Sequence, residues 1–216
     1  MPLVLKAEPP SYSVESIRRA GAMLRAGGVA VFPTETVYGV GADIRDAVAV
    51  GRVFALKNRN PSQPLMAHCA SPVQMLEYVT EVPAWVQPLV SRFWPGPLAL
   101  ILHSTDKVPA AVTGGGRTIG IRMVGHPVAR DLLEELGAPI AGTSANLHGE
   151  PATSRFDALG PKLLEQVDVA LDAGICGRDL PSTVLDVTCD PPRVVRLGAV
   201  SVQAIEAVVG RVLVRV

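Results

Sequence analysis

Aromatic side chains are scarce. Four Phe, three Tyr and two Trp make up 4% of the 216 residues. The core must therefore be aliphatic, and a ring platform on which nucleic-acid bases stack is disfavoured. Net charge is missing as well, with 20 Lys and Arg balanced by 20 Asp and Glu. That balance removes the chain-wide positive field of a DNA- or RNA-binding protein, although a basic pocket can still exist locally. Cysteine is limited to Cys69, Cys176 and Cys189. An odd, widely spaced set without C-x-x-C excludes a disulfide framework and a Cys-based zinc site, and reads as buried thiols in a reducing compartment. No apolar run is long enough to cross a bilayer, because Gly, Pro and charges interrupt each one. The opening MPLVLKAEPP lacks the apolar stretch of a secretion signal, so the cytoplasm is the expected location. Walker A, G-x-G-x-x-G, zincin and G-x-S-x-G patterns are absent too.

What is present is a chain that is 48% hydrophobic, with helical and extended periodicity in turn. Residues 13–26 predict a helix with Val14, Ile17, Gly21 and Leu24 on one face and Ser13 as its cap. VAVFP (29–33) reads as a buried strand. Asp46 opens a helix through Val50, Val53 and Phe54 that leaves into FALKNRNPSQP (54–64). A strand is expected at 65–69, helices at 72–80 and 83–94, and strands at 98–102 and 117–123. A helix over 126–137 leads to a strand and loop over 139–146. Strands at 168–172, 183–187 and 193–197 precede a helix at 201–209. This is an α/β pattern without repeat or linker, expected to form a single domain over 1–216 with a mixed sheet.

Several polar residues sit at the ends of these elements, and each has two readings. Lys57 and Arg59 suit a helix C-terminus, where cations offset the dipole, or they wait for a phosphate. Thr34 and Thr36 satisfy the turn after Pro33, or face a ligand. The glycines at 114–116 form a flexible turn, or let a ligand approach the backbone. Arg122 interrupts an apolar strand, so its guanidinium needs a structural carboxylate or an anionic ligand. His68 reads as a hydrogen-bonded strand histidine before a catalyst. Ser144 has no general base beside it, and with Thr143 and Asn146 it points to polar binding rather than nucleophilic attack.

Taken in order, these segments resemble a known family. They are VFPTETVYGVGADI (31–44), the K-x-R of 57–59 with a Pro-Leu strand ending in His68, RTIGIRM (117–123) with His126-Pro127, TSANLHGEPAT (143–153), PSTVLDVT (181–188) and VVRLGAV (194–200). Together they look like the YrdC-like family, and within it the single-domain threonylcarbamoyl-AMP synthases. The likeness runs from about Gly27 to Val200, with a motif-bearing part of about 13–200. Three places depart from the usual pattern: Asn60 stands where proline is common, Gln63 where asparagine is, and the strand reads LMAH rather than LIVH.

The resemblance implies a twisted, mixed, largely open α/β sheet with helices around it and a large positively lined cavity. It implies a nucleotidyltransferase that joins L-threonine, bicarbonate and ATP into L-threonylcarbamoyl-adenylate and pyrophosphate. That product would feed threonylcarbamoyladenosine formation in tRNA through a downstream threonylcarbamoyl transferase, with weak direct tRNA binding left open. Carried over by motif, Lys57, Arg59, Ser144 and Asn146 would be catalytic. Lys57, Arg59, Thr118, Ser144 and Arg196 would bind ATP, and Thr34, His68, Arg122 and Ser182 would bind L-threonine. Mg²⁺ is expected only as carried by ATP, with no prosthetic group and no protein-bound metal. Two alternatives stand beside this: a non-catalytic RNA- or tRNA-binding YrdC-like module, and a relative that forms a carbamoyl-adenylate for another acceptor.

Overall fold

The computed structural model describes residues 2–214. The chain opens with strand β1 (Leu3–Lys6), helix α1 (Val14–Arg25) and strands β2 (Ala30–Phe32) and β3 (Gly39–Asp43). Helix α2 (Ala47–Lys57), strand β4 (Met66–Cys69) and the short helices α3 (Pro72–Leu76) and α4 (Gln87–Phe93) follow. Next come strand β5 (Leu98–His103), helix α5 (Ala110–Thr113), strand β6 (Thr118–Met123), helix α6 (Pro127–Leu136) and strand β7 (Ile140–Ser144). The last third holds helix α7 (Pro161–Leu164), strands β8 (Val169–Asp172), β9 (Thr183–Asp186) and β10 (Arg193–Arg196), helix α8 (Val202–Val209) and strand β11 (Leu213–Val214).

Local chemistry sets the helix boundaries. Ser13 caps α1, its side chain accepting the Glu15 N–H, and Asp46 caps α2 by accepting from Val48 and Ala49. Asn58 ends α2 in the left-handed region at φ 44°, a conformation asparagine tolerates better than most residues. The exit points the two cations of 57–59 in different directions.

The strands form one sheet in the order β1-β8-β2-β3-β7-β4-β6-β5-β9-β10-β11, with parallel and antiparallel neighbours mixed. Pairs β1/β8, β2/β8, β4/β6, β5/β9 and β10/β11 are parallel. Period-two alternation gives each strand two faces. Ile119 and Ile121 of β6 join Ala67 and Cys69 of β4 and Leu100 of β5 in one core, which α2, α4, α5 and α8 cover with Val50, Leu89, Val112 and Ile205. On the opposite face a second core forms under α1 and α6, where Ile17, Leu24 and Leu132 meet Phe32, Ile140 and Leu171. These two helices lie over β1, β8, β2 and β3, and α6 also reaches β4. The remainder of that face, where His68, Arg122, Ser144 and Val184 stand, borders a cavity.

The observed elements depart from the sequence expectation in instructive places. Strand β3 was not expected, because GVGAD lacks the β-branched run that marks a strand. It is nevertheless fully buried, and its glycines let it lie close to its neighbour. Gly41 is register partner to Gly142 of β7. A Cβ on Gly41 would stand 2.6 Å from the Ala141 carbonyl oxygen, and one on Gly142 would stand 2.7 Å from that of Val40. Gly41→Ala is therefore expected to lower the unfolding free energy by about 1–3 kcal/mol, read from the urea midpoint. An unmoved midpoint would show that the two strands can separate freely. Elsewhere, the helix expected at 72–80 ends at Leu76, and the one at 83–94 divides into a 3₁₀ turn at Ala84–Val86 followed by α4. Strand β1 and helices α5 and α7 were not expected. Of the cysteines, Cys69 is buried, whereas Cys176 and Cys189 are half-buried.

Candidate active site

The open part of the sheet face is the floor of a cleft of about 650 Å³. Alternation supplies the floor: Thr118, Gly120 and Arg122 from β6, Met66 and His68 from β4, Gly142 and Ser144 from β7, and Val184 from β9 all point the same way. Loops add Thr34, Arg59 and Ser182 to the walls, and the end of β10 adds Arg196. Residues from six separate motifs thus converge on one space. Lys57 and Asn146 stand outside the lining, directly behind Ser144.

Three guanidinium groups, those of Arg59, Arg122 and Arg196, face this cleft. Each is held by a different anchor. Arg59 Nε and Nη2 donate to the carbonyls of Gln63 (3.2 Å) and Pro64 (2.8 Å). Arg196 donates from Nε (3.1 Å) and Nη2 (2.9 Å) to the Ser182 carbonyl, and from Nη2 to Ser182 Oγ at 2.9 Å. Arg122, only 3% exposed, pairs through Nη1 with Glu35 Oε1, and donates from Nη2 to Thr36 Oγ1 at 3.3 Å. Its Nε is buried without a partner. Burial lowers the pKa of all three, and Arg122 and Arg59 push Arg196 further the same way. The groups repel one another, and Glu35 is the one carboxylate paired with any of them among the described residues. A space arranged like this suits an anion.

The structural reading of Arg122 is met, since Glu35 pairs with it, while the side chain also lines the cleft. The departures at 60 and 63 are also accounted for. Asn60 Oδ1 accepts from Ser62 N (3.0 Å) and Ser62 Oγ (2.9 Å), a side-chain-closed turn in place of proline. Gln63 holds Arg59 through its backbone, so its side chain is free to vary.

Lys57 points away from the cleft. Buried to 7% exposure, its Nζ donates to the Ser144 carbonyl (2.9 Å), to Asn146 Oδ1 (3.0 Å) and to the Asn146 carbonyl. Ser144 Oγ in turn donates to Asn146 Oδ1 at 2.5 Å, and Asn146 Nδ2 reaches the carbonyls of Leu147 and Glu150. Burial, followed by repulsion from Arg59, lowers the Lys57 pKa to about 8. Asn146 is thus a fastening of the loop rather than a wall of the cleft. Thr34 lines the cleft but spends its hydroxyl proton on the Val37 carbonyl at 2.6 Å, closing the 34–37 turn. His68 packs edge-on against Phe32, with Nδ1 3.4 Å from the Ile140 carbonyl. Burial, and then Arg122, lower its pKa to about 3, so the ring is neutral at ordinary pH. Among the described residues no side-chain hydrogen bond engages Thr118, which lines the cleft.

Sequence reasoning missed Glu35 and Asp179. Glu35 sits between the two threonines of the PTET stretch, and the need of Arg122 for a carboxylate was the available signal. Asp179 lines the cleft and holds the Ser154 N–H at 2.5 Å, from a loop whose spacing carries no pattern. That loop is pressed against the 34–37 turn. Arg178 N donates to the Thr36 carbonyl, and a Cβ on Gly177 would fall 2.1 Å from the same oxygen.

A family model for Sua5, YciO and YrdC proteins, described as "Telomere recombination", matches residues 22–198. The chain belongs to this family. Among Sua5/YciO/YrdC relatives, it is 38% identical to the threonylcarbamoyl-AMP synthase of Pyrococcus abyssi, covering 91% of this chain and 58% of that protein. It is 36% identical to a putative threonylcarbamoyl-AMP synthase of Mycobacterium leprae, covering 96% of this chain and 94% of that one. The crystal structure of Pyrococcus abyssi Sua5 complexed with L-threonine superposes with a TM-score of 0.93 at 35% identity, covering 100% of this chain and 62% of that one. The chain therefore spans between a half and two thirds of the Pyrococcus protein. Its mixed, open α/β sheet with surrounding helices is the fold of the Sua5/YciO/YrdC family. Among the described residues, no helix is long and apolar enough to cross a membrane.

Proposed function

We propose that this chain makes L-threonylcarbamoyl-adenylate from L-threonine, bicarbonate and ATP, releasing pyrophosphate. The observation that carries the reading is the convergence of Arg59, Arg122 and Arg196 on one cleft with a single paired carboxylate. Relatives named threonylcarbamoyl-AMP synthase, and a threonine-bound relative of the same fold, support the choice of substrates. In this reading the whole chain acts as one unit in the cytoplasm, and its product passes to a tRNA-modifying transferase.

The chemistry explains the charges. A threonine carbamate carries two negative charges and must approach the α-phosphorus of a triphosphate. Each pair of unit charges 4 Å apart costs about 4 kcal/mol at an effective dielectric of 20. Fixed cations remove that cost, and in-line displacement at phosphorus needs little else beyond positioning. Arg59 and Arg196 would hold the phosphates and stabilise departing pyrophosphate. The unpartnered Nε of Arg122 would donate to the threonine carboxylate. Ser182, whose oxygen accepts from Arg196, keeps its proton for a substrate oxygen, and neutral His68 adds polarity without adding charge. Lys57 would work from behind, keeping the Ser144 loop in place. Among the described residues no cluster of three or more His, Cys, Asp or Glu could hold a metal ion. In this reading Mg²⁺ would arrive with ATP, bound by its oxygens as part of the substrate.

Pyrophosphate release is expected only when all three substrates are supplied. Release without threonine would favour a carbamoyl-adenylate for another acceptor, and a salt-sensitive RNA shift with no release at all would favour the RNA-binding alternative. The pH profile gives a second check. Lys57 is protonated below about 8 and neutral above, so raising the pH removes the cation that fastens the loop. The ratio kcat/KM should fall as pH rises through about 8, and Lys57→Arg, which does not deprotonate, should move that limb out of range.

A further inference from the structure

We propose that Glu35 is a positioning residue that aims Arg122 at the carboxylate of the amino-acid substrate. The proposal rests on the reading of the site given above. Glu35 uses both oxygens: Oε1 pairs with Arg122 Nη1, and Oε2 accepts the Gly125 N–H at 2.9 Å. Gly125 lies just beyond β6, the strand that carries Arg122. The carboxylate therefore ties the 34–37 turn to the strand end at two points and fixes the guanidinium plane from one side. Thr36 Oγ1 takes Nη2, so two of the three guanidinium nitrogens are held by the same turn. The third, Nε, is left buried without a partner. Buried N–H groups are nearly always satisfied, so an orphan on a cleft-lining arginine marks the place of a missing acceptor. A substrate carboxylate or carbamate oxygen supplies one, and only while Glu35 holds the plane.

Glu35 also has an electrostatic effect of opposite sign. It subtracts one charge from a cleft that otherwise holds three close cations. Removing that charge strengthens the positive field, so nucleotide binding should not weaken when Glu35 is neutralised. A glutamine cannot repeat the arrangement, because its amide would turn an NH₂ toward either Arg122 or Gly125, both of which are donors. Loss of aim and gain of field thus act on different substrates.

The test is steady-state kinetics of Glu35→Gln with threonine and ATP varied separately. The threonine KM is expected to rise by about 10-fold or more, while the ATP KM stays within about 2-fold or falls. Glu35→Asp, which keeps the charge but shortens the reach, should lie between wild type and Glu35→Gln. Equal rises in both KM values, or an unchanged threonine KM, would overturn the proposal. So would loss of folding in both variants by circular dichroism, which would make Glu35 a structural brace only. Wild-type protein that neither binds threonine nor releases pyrophosphate would instead sink the functional reading and leave the ion pair without a catalytic purpose.

Discussion

Lys57→Ala is expected to reduce threonine- and ATP-dependent pyrophosphate release by about 10²–10³-fold, comparable to the loss of one preorganised donor in other enzymes. The route of that loss is unusual, because Lys57 Nζ is turned toward the Ser144 and Asn146 carbonyls instead of the cleft. Truncation removes one donor each from the Ser144 carbonyl, the Asn146 carbonyl and Asn146 Oδ1 in a largely buried position, although the Asn146 N–H still serves the first and Ser144 Oγ the last. Unfolding free energy should therefore fall by about 1–3 kcal/mol. In a chain of this length that lowers Tm by a few degrees. A side chain that served only as a phosphate contact would lose activity with Tm unchanged or raised, since burial already disfavours its charge. Measuring both quantities on one variant separates the two roles.

Arg122→Ala should cost more stability, about 3 kcal/mol, because it strands the Glu35 carboxylate in a part-buried pocket. The expected activity loss is at least as large as for Lys57, since the cleft loses a cation and, in the proposed reading, the donor to the threonine carboxylate. The double variant Arg122→Ala/Glu35→Gln tells these effects apart. It removes the stranded charge, so the unfolding midpoint in urea should recover by about half or more, while pyrophosphate release should remain lost. Recovery of activity along with stability would mean that Arg122 acts only by holding the fold.

Much of this site was legible in the sequence, and the reasons differ by residue. The alternation in RTIGIRM marks a strand over 117–123, because strand periodicity is a local property, and the structure turns Thr118, Gly120 and Arg122 of it to the cleft. That this face would stay uncovered is not local. It depends on how far α1 and α6 extend over the sheet, which only the packed structure shows. Strand β3 escaped notice because the feature that makes it possible, paired glycines at 41 and 142, is what weakens its strand signal. The K-x-R pair looked like two equivalent cations. The left-handed turn at Asn58 sends them apart, and no composition rule says which one reaches the cleft. Motif order supplied the resemblance, but the direction of Lys57 and the partner of Arg122 came only from the packing.

The position of β8 carries a consequence for how the molecule comes into being. Strands β1 and β2 flank β8, with Leu3 and Ala30 both registered on Val169, yet β8 lies about 140 residues beyond β2 and further still beyond β1. Neither strand can complete its ladder until that late segment has left the ribosome. The contact order is high, and refolding should be slow for a chain of this size. The exposed edges of the early strands would be the surface at risk of aggregation during synthesis.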